Sequence, residues 1–179
     1  METDKTIWTI GHSTRELDVF IEILHSFGIE VLADIRSFPG SRKFPHFNKE
    51  NLAAVMPENN IRYMPIPQLG GRRKPNPDSV NTAWENSAFR AYADYMETIG
   101  FIEGIKILET TAREYRTAYM CSEAVWWRCH RSLVSDYLKA DGWKVIHIMG
   151  SGKGREHTFT SPARMIEGKL SYKGILESV

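Results

Sequence analysis

The chain is poor in sulfur, has no long apolar run and carries no excess of either charge, and each shortage narrows what it can be. Only two cysteines, Cys121 and Cys129, occur in 179 residues, and they share one segment instead of forming the spaced set of a disulfide framework. No apolar run approaches the ~20 residues that a membrane-spanning helix needs. The N-terminus lacks the charged-then-apolar order of a secretion signal. A reducing, cytoplasmic compartment without membrane association is the expectation. With 23 Lys and Arg against 22 Asp and Glu, the net charge is +1, too balanced for a chain that binds polyanions over its whole surface. No repeat, linker or low-complexity segment is visible, so residues 1–179 read as a single α/β domain with a polar tail over 158–179.

Short apolar runs alternate with amphipathic stretches. Residues 6–10 are β-branched and aromatic and stop at Gly11-His12-Ser13. Leu17, Phe20, Ile21 and Leu24 recur at helical spacing and predict a helix over 15–27, capped by Ser13 or Thr14 and ended by Gly28. A strand over 29–35 completes a βαβ unit. The pattern then predicts helices over 48–56 (capped by Asn48), 87–98, 102–115 and 128–139, and strands over 61–66, 117–121 and 144–149. The economical fold is a single doubly wound, mainly parallel five-stranded sheet flanked by helices. Residues 150–155, Gly-Ser-Gly-Lys-Gly-Arg, lack the order of a phosphate-binding loop and read as a mobile cationic rim loop.

Parallel strands would bring His12, Ser13, Asp34, Arg36, Gln68, Gly70, Cys121, Glu123 and Gly150 to one rim, the edge where open α/β sheets bind ligands. Two loop stretches add Arg36, Arg42, Lys43, Arg72, Arg73 and Lys74, interleaved with Phe38, Phe44, His46 and Phe47. Phosphate binding and a solvated basic face are both open to them.

Several short blocks occur in order: Thr9-Ile-Gly-His-Ser13; Ala33-Asp-Ile-Arg36 followed by Pro39, Ser41-Arg42 and Phe47-Asn48; Leu69-Gly-Gly71; and Cys121-x-Glu123 with Cys129-His-Arg131. Together they resemble domain of unknown function family 488 over about residues 6–157. The resemblance implies a single α/β domain of a family widespread in prokaryotes, and it brings no established reaction. Between the cysteines, similar sequences carry acidic residues or proline where this chain has Trp126 and Trp127.

Function must therefore come from the residues. Glu123, at a strand end among apolar neighbours, is a candidate general acid, base or nucleophile. It could equally cap the next helix or pair with Arg131. Asp34 could supply the second carboxylate of a hydrolytic site, or accept local hydrogen bonds that fix its loop. His12 and His130 are candidate proton carriers or orienting donors, with Ser13, Gly70 and Gly71 letting a ligand approach the backbone. Arg36, Arg42, Arg72 and Arg131 would take phosphate, while Phe47, Trp126 or Trp127 would stack. Cys121 is a candidate thiol nucleophile beside Arg128 and Arg131. Cys121, Cys129, His130, His147 and His157 match no common zinc spacing, so neither a metal nor a cofactor is expected. Three readings stay open: an enzyme on a phosphate-bearing nucleotide or nucleic-acid component, a non-catalytic nucleic-acid-binding or partner module, and a Cys121-dependent thiol transferase or phosphatase.

Overall fold

A computed structural model describes residues 4–175. Its elements are β1 (Thr6–Gly11), α1 (Leu17–Ser26), β2 (Val31–Asp34), α2 (Lys49–Glu58), β3 (Arg62–Pro65), α3 (Ser87–Tyr95), α4 (Ile99–Glu114), β4 (Thr117–Cys121), α5 (Arg131–Ala140), β5 (Lys144–Gly150), β6 (Lys153–Glu156), β7 (Arg164–Ile166) and β8 (Lys169–Ser171). Short 3-10 turns fill 45–47, 67–69 and 126–128. The main sheet runs β3-β2-β4-β1-β5-β6, and β7-β8 form a separate hairpin. The first five strands are parallel, whereas β6 returns antiparallel to β5.

The sheet is buried on both faces, so β1, β2 and β4 read as near-continuous apolar runs. Alternate side chains go to opposite layers. Trp8, Ile10, Leu32, Ala118 and Met120 pack with Phe20, Leu24, Leu52 and Met56 of α1 and α2. Ile7, Ala33, Tyr119 and Val145 pack on the other face with Tyr92, Phe101, Ile105, Leu133 and Leu138 of α3, α4 and α5. Each fully buried side chain of this kind contributes about 1.5–3 kcal/mol.

This layering places the functional edge. The chain leaves β1 through α1 on one face and leaves the adjacent β4 through α5 on the other. Connections that part to opposite faces open a crevice beyond the carboxyl ends of the strands.

The sheet has six strands among the described residues, not five. The extra one, β6, is exposed throughout, so its sequence carries no apolar alternation, and the segment read as a rim loop is the turn and return of a hairpin. The tail likewise holds the β7-β8 hairpin. Neither Ser13 nor Thr14 caps α1; Glu16 occupies the cap position without a side-chain bond, because the backbone of Ser13 is tied to β4 through Ser122 O. Asn48 occupies the cap position of α2 as expected, but its Oδ1 accepts from Ser41 N–H at 2.6 Å and makes no bond to the helix. The helix expected from residue 128 starts at Arg131, because Cys129 is extended at φ −139°, ψ 166°. That kink turns its sulfur towards Cys121. No helix of the described residues is long and apolar enough to cross a membrane.

Candidate functional site

At the end of β2, Asp34 and Arg36 lie on one face because Ile35 turns into the opposite core. The guanidinium folds back on its neighbour as a fork, Nε to Oδ1 at 2.9 Å and Nη2 to Oδ2 at 2.7 Å. The Arg36 N–H donates to Oδ1 at 3.1 Å, and the Tyr63 hydroxyl donates to Oδ2. Asp34 is 1% exposed, so all of its lone-pair directions serve protein groups. Tyr63 is raised above the usual phenol range by burial and by the Asp34 charge, which keeps its proton available to donate. Nη2 of Arg36 also reaches Phe47 O at 2.7 Å.

At the end of β1, the Nδ1–H of His12 donates to Ser13 O at 2.8 Å, leaving Nε2 to accept from Arg36 Nη1 at 3.4 Å. The imidazole stacks on Phe47, centroids 4.2 Å apart and planes 19° apart. Burial lowers its pKa from 6.5 to about 4, with Arg36 acting in the same sense, so His12 is a neutral group near pH 7. The β1-β4 ladder continues past the strands through His12 N–H to Cys121 O and Ser13 N–H to Ser122 O. Ser13 sits at φ 54°, a left-handed conformation that costs a non-glycine residue about 1 kcal/mol or more. Gly11 is required by close approach, since a Cβ there would enter the Glu123 carbonyl and the Arg131 guanidinium.

At the end of β4, the sulfurs of Cys121 and Cys129 are 2.7 Å apart. Arg131, 1% exposed, donates from Nε to Cys121 Sγ at 2.9 Å, from Nη1 to Thr9 Oγ1 at 3.3 Å and from Nη2 to Glu123 O at 2.7 Å. His130 Nε2–H donates to Ile35 O at 2.9 Å, and its ring lies so close to Gly71 that a side chain at 71 would strike it.

These three strand ends enclose a cleft of about 630 Å³. His12 and Ser13 line it from β1; Arg36, Ser37, Phe38, Ser41 and Phe44 from the loop after β2; Gly71 and Arg72 from the loop after β3; and Cys121, Ser122, Glu123, Cys129 and His130 from the β4-α5 segment. Asp34 and Arg131 stand behind this wall, each holding a residue that forms it. Glu123 is exposed, so the apolar enclosure expected for its carboxylate is absent, and its backbone carbonyl rather than its side chain meets Arg131. Arg72 stacks over Phe38 at 5.2 Å. Besides Asp34 and Arg131, Phe47 packs in the core beneath His12, and Arg42, Gly70 and Trp126 do not line the cleft either. Arg42 is exposed elsewhere on its loop. Gly70 packs on Ser37. Trp126 stacks on His147, 4.3 Å and 12°, leaving half-exposed Trp127 edge-on beside it.

Tyr63, Thr9 and Ser37 contribute to the site without having been singled out. Tyr63 has a signal in hindsight: Leu32 pairs with Tyr63 across β2-β3, and Asp34 shares Leu32's face, so a diagonal contact follows once register is known. A second polar cluster lies under α5. His147 Nε2 meets His157 Nδ1 at 2.9 Å, His157 Nε2 meets Asp136 Oδ1 at 2.8 Å, and Tyr172 and Thr160 also donate to Asp136. His147 and His157 are thus engaged with each other, and His157 with a carboxylate.

Comparison with curated proteins and with solved structures found no match. The family model described as Domain of unknown function DUF488 matches residues 16–138. That span carries Asp34, Arg36, the Gly70-Gly71 pair and the whole Cys121–Arg131 segment, while His12 and Ser13 precede it. The match covers more than half of the chain, which therefore belongs to the family Domain of unknown function DUF488.

Proposed function

We propose that the protein is a hydrolase or transferase acting on a phosphate-bearing nucleotide or nucleic-acid component held in this cleft. The observation that carries the reading is the lining. Two guanidinium groups, Arg36 and Arg72, and the hydroxyls of Ser13, Ser37, Ser41 and Ser122 converge with a single carboxylate, Glu123. Arg36 is pre-oriented by Asp34, which takes its Nε and Nη2 arms, and keeps an Nη1 hydrogen for a ligand, so phosphate meets a fixed single donor instead of a floppy cation. Arg72, over the exposed ring of Phe38, supplies a second positive group at the mouth, and Phe38 and Phe44 offer faces to a base. His12, neutral and buried, donates nothing to charge balance but can accept or relay a proton at Nε2 when Arg36 shifts to a ligand.

Glu123 is the group free to do acid, base or nucleophilic work, because Asp34 is saturated. Asp34 is a positioning residue for Arg36 in this reading, not half of a carboxylate pair. A cytoplasmic setting fits the two unbridged cysteines, which a reducing compartment keeps as thiols.

The test is a panel of nucleotides, nucleosides and short oligonucleotides, with binding followed by calorimetry and products by chromatography. Glu123→Gln should bind a phosphate-bearing substrate and lose turnover, since glutamine keeps shape but cannot carry the proton or the charge. Full turnover in that variant would remove Glu123 from the chemistry. A second reading, a binding module without catalysis, is favoured by the saturation of Asp34, which leaves one carboxylate where hydrolysis at a sugar commonly uses two. It requires binding without product for the whole panel.

A further inference from the structure

The N-terminus of α5 covers a buried guanidinium that no carboxylate neutralises. Among the described residues the one pairing of a lysine or arginine with a carboxylate is Arg36–Asp34, and Arg131 has no part in it. Its Nε donates to Cys121 Sγ at 2.9 Å and its backbone N–H to Cys129 Sγ at 3.3 Å. A buried cation without an anion is costly, and the nearest groups able to become anionic are the two sulfurs, 2.7 Å apart and unbridged. Burial alone would raise Cys129, but the proton donated by Cys121, the neighbouring His130 and the Arg131 guanidinium outweigh it and hold Cys129 well below the usual thiol range. Cys121 goes the other way, pushed up by burial and by the Cys129 sulfur with which it shares a proton. Both cysteines also line the cleft, where Cys121 is 3% and Cys129 7% exposed, so a small molecule bound there meets the edge of a largely buried pair, Cys129 foremost.

We propose that Cys121 and Cys129 are a redox-active dithiol that reduces small disulfides entering the cleft, with Cys129 attacking and Cys121 resolving. The Cys129 thiolate attacks one sulfur of R–S–S–R, forming a Cys129–S–R mixed disulfide and expelling one RS⁻, which takes the proton released by Cys121. The Cys121 thiolate then attacks the Cys129 sulfur, forms the Cys121–Cys129 disulfide and expels the second RS⁻. Two electrons pass from the protein to the small disulfide. Excess thiol reverses the exchange. Arg131 serves both stages: its charge favours thiolate on whichever sulfur has lost its proton, and its hydrogen bonds hold the pair in contact.

The test uses the reduced full-length protein and 2-hydroxyethyl disulfide, with acid quenching, alkylation and intact-mass analysis. The expected result is a bridged protein, lighter by two hydrogens, formed at least about tenfold faster than in the urea-unfolded chain at the same pH, because unfolding removes Arg131 from the sulfurs. Cys121→Ser should accumulate a mixed disulfide on Cys129, and Cys129→Ser should react at least about tenfold slower than wild type. The wild-type native-to-unfolded ratio decides the matter even where a serine variant fails to fold. A native rate no faster than the unfolded one, or a mixed disulfide that accumulates on Cys121, would overturn the proposal. In a parallel arm with hydrogen peroxide, oxidation by peroxide while the disulfide leaves the native pair untouched would also overturn it.

Discussion

Replacing Asp34 by Asn tests whether the carboxylate exists to hold Arg36. The change preserves volume and removes one negative charge from a site where Asp34 is 1% and Arg36 9% exposed. Asparagine can still accept from the Arg36 N–H or Nε, but its NH₂ then faces Nη2, a donor against a donor. The Tyr63 hydroxyl can turn to accept, so that bond survives in reversed sense. What is lost is the charge-assisted fork, and an uncompensated guanidinium stays buried. Removing one partner of a buried pair costs about 3–5 kcal/mol, and the retained acceptor places Asp34→Asn near about 3 kcal/mol. For a domain of this size, about 2–4 °C of melting temperature accompanies each kcal/mol, which gives a fall of about 6–12 °C.

Urea denaturation followed by tryptophan fluorescence measures the loss. Calorimetric titration with inorganic phosphate or a nucleotide measures the accompanying loss of anion binding, since Arg36 is no longer aimed. Tyr63→Phe is the companion variant: it removes one hydrogen bond to a charged group, about 1.5–3 kcal/mol, and keeps the fork. Because Tyr63 acts on Arg36 only through Asp34, the double variant should lose less than the sum of the two single losses. A cost for Asp34→Asn below about 0.5 kcal/mol, with phosphate binding intact, would refute the reasoning and return Asp34 to the list of free reactive groups.

The remaining expectations address the rest of the cleft. Arg72→Ala should weaken phosphate binding and flatten its dependence on salt, whereas Arg42→Ala should leave both unchanged, because Arg42 lies off the lining; equal losses measured by titration at two salt concentrations would contradict this. Stability should fall as pH drops below about 6.5: the unfolded chain takes protons on histidines at that pH, while burial keeps folded His12 neutral until about 4 and His147 until about 2. Urea midpoints compared at pH 7 and pH 5 should show this slope, and His12→Gln should make it shallower. Gly11→Ala should cost about 3 kcal/mol or more, because the obstruction is the Glu123 backbone carbonyl and no rotamer relieves it; an unchanged melting temperature would show that the β4-α5 segment can move aside.

What could be read from the sequence was what has a period or a stop signal. The apolar runs of β1, β2, β4 and β5 and the helical stripe of α1 show themselves because burial on one or both faces dictates residue type. The parallel arrangement then follows from their alternation with helices, and it is enough to bring the ends of β1, β2 and β4 to one edge. Strand β6 is invisible by the same logic, since all four of its residues face solvent and nothing in the core selects them. The true start of α5 is hidden for another reason. Residues 128–130 fall within the expected helix, but the backbone at Cys129 is extended and brings its sulfur to Cys121, a tertiary demand with no local signature. A large aromatic beside a polar rim, such as Trp126, can stack on a ligand, cover a partner surface or pack internally, and sequence leaves these open until its neighbour is known; His147, from a strand two positions along the sheet, takes its face.

The two buried guanidinium groups show why residue roles at such a rim resist assignment one at a time. Arg36 and Arg131 follow the ends of adjacent strands, β2 and β4, and both are withdrawn from water. Arg36 is neutralised by the carboxylate two residues before it, a short-range solution that uses up Asp34. Among the described residues Arg131 has no carboxylate in reach, and the sulfurs of Cys121 and Cys129 face it instead. In the proposed reading a carboxylate that looks catalytic serves to hold a guanidinium, and the cysteine pair sits beside the charge that favours a thiolate. Glu123 is left as the carboxylate that lines the cleft without a partner among the described residues, because Arg131 takes its carbonyl and not its side chain. Which residues are free to act is set by how each buried charge was balanced, and that balance is a property of the folded rim, not of any single motif.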